Sequence, residues 1–101
     1  MGKVTTLYLD REVYNYLKEY YRRSLSTLID DFLYVINYDD SVLLKVVKEI
    51  NRKGDDKVTV SIPRILHRYL KTFSAKYGFD ISVVVNSILN FIDYHGFIPP
   101  E

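Results

Sequence analysis

Thr5-Thr6-Leu7-Tyr8-Leu9-Asp10-Arg11-Glu12-Val13-Tyr14-Asn15-Tyr16-Leu17-Lys18 lies over Val58-Thr59-Val60-Ser61-Ile62-Pro63-Arg64-Ile65-Leu66-His67-Arg68-Tyr69-Leu70-Lys71 at an offset of 53. Thr6/Thr59, Arg11/Arg64, Tyr16/Tyr69, Leu17/Leu70 and Lys18/Lys71 are identical, and the hydrophobic pattern is similar. Further on, Ser24-Leu25-Ser26 lies over Asp80-Ile81-Ser82 at an offset of 56, so the first copy is three residues shorter between the blocks. A repeat of this length is one supersecondary unit that needs a neighbour to bury its apolar face.

Each copy opens with alternation. Thr5, Leu7 and Leu9 share one face, and Val4, Thr6 and Tyr8 the other. In the second copy Val58, Val60 and Ile62 oppose Lys57, Thr59 and Ser61. Period two with β-branched residues predicts a half-buried strand. Pro63 ends the second strand and suits a helix's first turn, and Asp10 stands in the equivalent place as a helix cap. The next residues switch period. Val13, Tyr16, Leu17 and Tyr20 recur at i, i+3, i+4 and i+7, as do Leu66, Tyr69, Leu70 and Phe73, which predicts two amphipathic helices. Gly78 can end the second of these in the left-handed conformation. The first ends near Arg22-Arg23-Ser24 without a glycine.

A second helix follows in each copy, with Ser24 or Asp80 as its cap. Leu28, Ile29, Phe32, Leu33 and Ile36 match Val84, Val85, Ile88, Leu89 and Ile92 position for position. The valines at 83–85 favour strand by propensity, and the cap, spacing and repeat outweigh them. Gly96 and Pro99-Pro100 follow the last helix. Between the copies, Ser41 can cap a helix with Leu43, Val46, Val47 and Ile50 on one face, and Gly54-Asp55-Asp56 reads as a turn. At ~1.5 Å per residue a linker helix of about twelve residues spans roughly 18 Å, enough to carry the chain back to a second strand.

The expected organisation is therefore a first copy at 1–37, a helical linker at 38–56 and a second copy at 57–101, sharing one core. The expected fold is mostly α with a short two-stranded antiparallel ribbon, in the order β-α-α-α-β-α-α. A copy of about 45 residues has too little core to fold alone, and a lone strand has bare edges. Pairing the two strands antiparallel about Thr6 and Thr59 answers both needs.

Composition bounds the function. The 101 residues are 48% hydrophobic, enough for a core. Apolar runs stop far short of the ~20 residues that cross a bilayer, so no membrane partner is expected. With no cysteine there is no disulfide scaffold, no thiol nucleophile and no Cys-based zinc site. No secretory h-region follows Lys3, and an intracellular location is expected. The net charge of +1 argues against holding a polyanion by bulk charge, so any nucleic-acid surface has to be local.

Strand, helix, helix in about 45 residues resembles the ribbon-helix-helix (MetJ/Arc-type) family of DNA-binding transcription regulators. Val58-Thr59-Val60-Ser61-Ile62-Pro63 and Gly78-Phe79-Asp80-Ile81-Ser82 carry the likeness best. The first copy departs from the pattern, with Asp10 where proline is common and no glycine at its turn. The tandem, tyrosine-rich, cysteine-free form also resembles small regulators of archaeal viruses.

The resemblance implies a single-chain pseudo-dimer whose ribbon lies in the major groove of double-stranded DNA, with self-association of such chains on DNA. The outward side chains Val4, Thr6, Tyr8, Lys57, Thr59 and Ser61 would meet base edges. Lys57 can donate to guanine, the hydroxyls can donate or accept, and Val4 and Tyr8 offer apolar contact. The same resemblance maps a backbone-phosphate clamp to Ser24, Leu25 and Ser26, with Arg23 beside it, and a second one to Ile81 and Ser82. Asp80 departs from the usual Ser or Thr there and repels a phosphate.

No metal ligand set is expected from His67 and His95, which lie apart without matching carboxylates. No phosphate loop, nucleophile elbow or paired-acid arrangement is present, so neither an enzyme nor a cofactor is expected. The competing reading is a protein-interaction module on the same fold, an antitoxin-like adaptor or a viral protein without DNA binding. The near-neutral charge favours it.

Overall fold

The computed structural model describes residues 2–97. Its elements run β1 (Gly2–Leu9), α1 (Arg11–Tyr21), α2 (Leu25–Val35), α3 (Asp40–Ile50), β2 (Asp56–Pro63), α4 (Arg64–Tyr77) and α5 (Ile81–His95). The described residues are mostly helical with one two-stranded antiparallel sheet. Pro99 and Pro100 lie outside the described residues.

The register sets Thr6 opposite Thr59, Tyr8 opposite Lys57 and Val4 opposite Ser61. Thr6 and Thr59 are equivalent in the repeat, so the sheet is locally two-fold about that pair. Leu7, Leu9 and Ile62 are buried, Thr5, Val58 and Val60 half-buried, and the opposite face is exposed, as the alternation predicts. The extents of 27 × 26 × 25 Å leave no room for two lobes. Among the described residues one core joins both copies, and the second helix of each copy packs on the strand of the other: α2 on β2, α5 on β1.

α5 is the hub. It packs against β1 and against each of the other four helices. That is why its sequence reads ambiguously: a helix enclosed on nearly all sides carries no clean polar stripe. Val84, Val85, Ile88, Leu89 and Ile92 are buried as expected, and Asn86 and Ser87 are fully buried beside them. α3 joins the core through Leu43, Val46 and Val47, so it is a packing element as well as a connection.

Two expectations about the helices are corrected. The inward side of α1 is Val13, Tyr14, Leu17 and Tyr21, whereas Tyr16 and Tyr20 are 54% and 66% exposed. Their rings stack on each other at 5.7 Å, and Tyr20 meets Tyr21 edge-on at 4.9 Å. Asp39, not Ser41, caps α3, accepting from the Ser41 N–H at 2.9 Å and the Ser41 hydroxyl at 2.6 Å. Several turns use non-glycine residues in the left-handed region, with Arg22 ending α1, Asn37 and Tyr38 joining α2 to α3, and Asn51 ending α3. Gly78 ends α4 in that region as expected.

Asp10 stands at the cap position of α1, but its carboxylate does not cap. It turns inward instead. Its Oδ2 accepts from Asn86 Nδ2 at 3.1 Å and from Asn90 Nδ2 at 3.0 Å, and its Oδ1 accepts from Arg52 at 3.1 Å. Its backbone N–H donates to Asn86 Oδ1 at 2.9 Å. Burial alone raises the Asp10 carboxyl, but the hydrogen bonds from Asn90, Asn86 and Arg52 outweigh it, and the group titrates below its ordinary value of 3.8. The depressed pKa means the contribution to stability is complete above that ordinary value and is lost as the pH falls through the folded one. Asp10→Ala leaves the buried Asn86 amide short of a partner and is expected to cost ~2 kcal/mol. Urea melts at neutral pH measure that loss. Melts carried into acid should show the variant losing less stability than the wild type.

Candidate nucleic-acid interface

The outer face of the sheet gathers Val4, Thr6, Tyr8, Lys57, Thr59 and Ser61, all exposed, in three cross-strand pairs. Strands ~4.8 Å apart make a blade narrow enough for a major groove ~12 Å wide. The two ends of this face differ. At the Tyr8–Lys57 end, the Lys53 ammonium sits 5.1 Å from the Tyr8 ring centroid, and Arg11 donates to the Lys57 carbonyl at 3.0 Å. Lys53 and Arg11 were not singled out from sequence, because what brings them there is the turn at Gly54 and the start of α1. The Val4–Ser61 end presents only small or apolar groups on the face itself.

The backbone of Tyr8 fixes this end. Its N–H donates to the Ser82 hydroxyl at 2.9 Å, and its C=O accepts from the Gly54 N–H at 2.9 Å. Both groups point away from β2, so α5 and the Gly54 turn cover an edge that would otherwise be open.

The start of α2 is built as an open helix end. Ser24 accepts from the Thr27 N–H at 3.3 Å, and its hydroxyl lies 3.0 Å from that of Thr27 and 3.4 Å from that of Ser26. The Leu25 side chain is buried, which anchors the turn. Among the described residues none accepts from the Leu25 and Ser26 amides, which therefore remain available to an anion. Ser26 and Thr27 face Pro63, Ile65 and Leu66 across an open groove of about 540 Å³ at the end of β2.

Two expected phosphate groups are placed otherwise. Arg23 is ion-paired with Asp31, so it is not a free cation beside the α2 end. Ser82 is only 2% exposed: its hydroxyl is spent on Tyr8 and its N–H on the Asp80 carboxylate at 2.8 Å. Ile81 is half-buried against the core. The second clamp is thus closed by its own cap, and the start of α5 serves to tie that helix to β1.

No family model matches the chain, and neither does any curated protein or solved structure compared with it.

A second group of cations, which sequence reasoning missed, lies at the Gly2–Pro63 end of the sheet. Lys3, Arg64, His67, Arg68 and Lys71 line one concavity of about 640 Å³ together with Gly2. The spacing of Arg64, Arg68 and Lys71 at i, i+4 and i+7 is the signal that finds them on one helix face. Partial burial, and then the Lys3 and Lys71 ammoniums, pull the His67 pKa below its ordinary 6.5. Elsewhere among the described residues, no helix is long and apolar enough to cross a membrane.

Proposed function

We propose that the chain is a sequence-specific double-stranded DNA-binding transcription regulator, a tandem ribbon-helix-helix protein whose single-chain ribbon enters the major groove. The observation that carries this reading is the ribbon centred on the repeat-equivalent pair Thr6–Thr59, with all six outward residues exposed. The base-reading residues are Tyr8, Lys57, Thr6, Thr59, Ser61 and Val4. The open α2 end, with the Leu25 and Ser26 amides, holds one backbone phosphate. With Ser82 closed, the grip at the other helix start is weaker, so the two halves contribute unequally.

The strands also differ in what they present. Each chain therefore reads a non-palindromic subsite, with the stronger base contact at the Tyr8–Lys57 end. A good contact to a base edge is worth ~1–3 kcal/mol of discrimination. Lys57→Ala is expected to relax preference at one or two adjacent base pairs in a selection from a random duplex library. A selected motif identical to that of the wild type would show that the ribbon does not read bases. The interaction-module reading would then be the better one, and the exposed rings of Tyr16, Tyr20, Tyr34 and Tyr94 are what favour it.

A further inference from the structure

The cation cluster at the Gly2–Pro63 end has a counterpart in the first copy, and the comparison is informative. The repeat places Asp56, Arg11, Tyr14, Asn15 and Lys18 where the cluster has Lys3, Arg64, His67, Arg68 and Lys71. The first-copy set has two cations and one carboxylate, net +1, with Lys53 and Lys57 at the same end of the ribbon. The other has four cations and no carboxylate, net +4 with His67 neutral.

The first-copy cations are also engaged. Arg11 is bonded to the Lys57 carbonyl, and the Lys18 ammonium rests 5.0 Å from the Tyr14 ring centroid. Among the described residues no carboxylate pairs with Lys3, Arg64, Arg68 or Lys71. Four like charges around one concavity repel one another, so an anion seated there relieves the repulsion. In a chain of net charge +1, four cations without a carboxylate partner around one concavity make a local positive field that can act on a polyanion.

We infer that Lys3, Arg64, Arg68 and Lys71 form a backbone-phosphate anchor for double-stranded DNA at the Gly2–Pro63 end of the ribbon only. The inference rests on the DNA-binding reading. The chain then docks with a fixed polarity: side chains read bases at the Tyr8–Lys57 end, and the cluster grips the sugar-phosphate wall beyond the other end. Arg and Lys at i, i+4 and i+7 track a phosphate run without reading sequence, so the contribution is the same for any duplex.

The test uses the full chain and a fluorescent duplex of random sequence, with binding measured by anisotropy across a salt series. Each phosphate neutralised contributes a slope of about −0.9 in log K against log salt. The triple variant Arg64→Gln, Arg68→Gln, Lys71→Gln is expected to flatten the slope by ~2–3. Lys71→Gln alone should flatten it by ~0.9, while Lys18→Gln, at the repeat-equivalent place, should leave it near that of the wild type. All of these residues are exposed, and unchanged urea midpoints establish that the variants are folded. Hydroxyl-radical footprints on a selected site should lose protection on one flank only in the triple variant. A triple variant with the wild-type slope overturns the anchor and leaves the ribbon reading standing. Cluster-dependent binding to anionic vesicles with no binding to duplex overturns it as well. A wild type that binds no duplex at any salt removes the DNA reading and the anchor with it.

Discussion

Gly54→Ala is expected to destabilise the protein by more than ~3 kcal/mol, a large share of the ~5–15 kcal/mol that holds a domain of this size together. A Cβ at this position falls 1.8 Å from the Leu9 carbonyl carbon, 2.2 Å from the Asp10 nitrogen and 2.3 Å from the Leu9 oxygen. All three are backbone atoms, so no rotamer change relieves the clash. Either the turn before β2 lifts away or β1 shifts. Lifting the turn breaks the Gly54 N–H bond to the Tyr8 carbonyl, and shifting β1 disturbs the buried Leu9 and the Asp10 carboxylate beside it. Urea denaturation of the purified variant measures the loss. A cost below about 1 kcal/mol would mean that the two backbones do not approach this closely.

The second large effect is at Leu70. Its side chain is fully buried in α4, and its repeat equivalent Leu17 is 1% exposed in α1. Truncating either to alanine removes the transfer energy of the lost methyl groups and leaves a cavity, for ~2–5 kcal/mol. Because the two copies share one core, each variant should lower the midpoint of a single urea transition. Two separate transitions would instead mean that the halves fold apart. A loss under about 1 kcal/mol at Leu70 would show that the α4 stripe is not core.

Much of the architecture was legible because it is written in local periods. The alternation at 5–9 and 58–62 names both the strands and their inner faces. The repeat then gives the register, since two equivalent strands pair antiparallel about equivalent residues. The stripes of α2, α4 and α5 were legible for the same reason. At α1 the residue type misled: tyrosine suits a core and a wet surface equally, and Tyr14 and Tyr21 took the inner places instead of Tyr16 and Tyr20. The site was less legible where it depends on polar groups distant in sequence. Nothing near Asp10 announces that Asn86 and Asn90 will hold its carboxylate. Nothing near Ser82 announces that its hydroxyl will meet the Tyr8 amide. Gly54 reads as an ordinary turn glycine, and its closeness to Leu9 and Asp10 exists only once the chain has returned. The cluster at Lys3, Arg64, Arg68 and Lys71 is hidden in a net charge of only +1 over the chain.

Joining β1 to β2 within one chain removes mass action from the formation of the ribbon. Two separate chains can present such a blade only above the concentration at which they associate, and each dilution dissolves part of it. Here the partner strand is tethered by α3, so the blade exists at any copy number, down to a single molecule in a cell. The tether also frees the two strands from having to be identical. A substitution in Tyr8 or Lys57 changes one end of the surface once, where in a pair of identical chains it would change both ends together. Pairing both strands within one chain thus replaces an equilibrium and a symmetry with a permanent, directional surface.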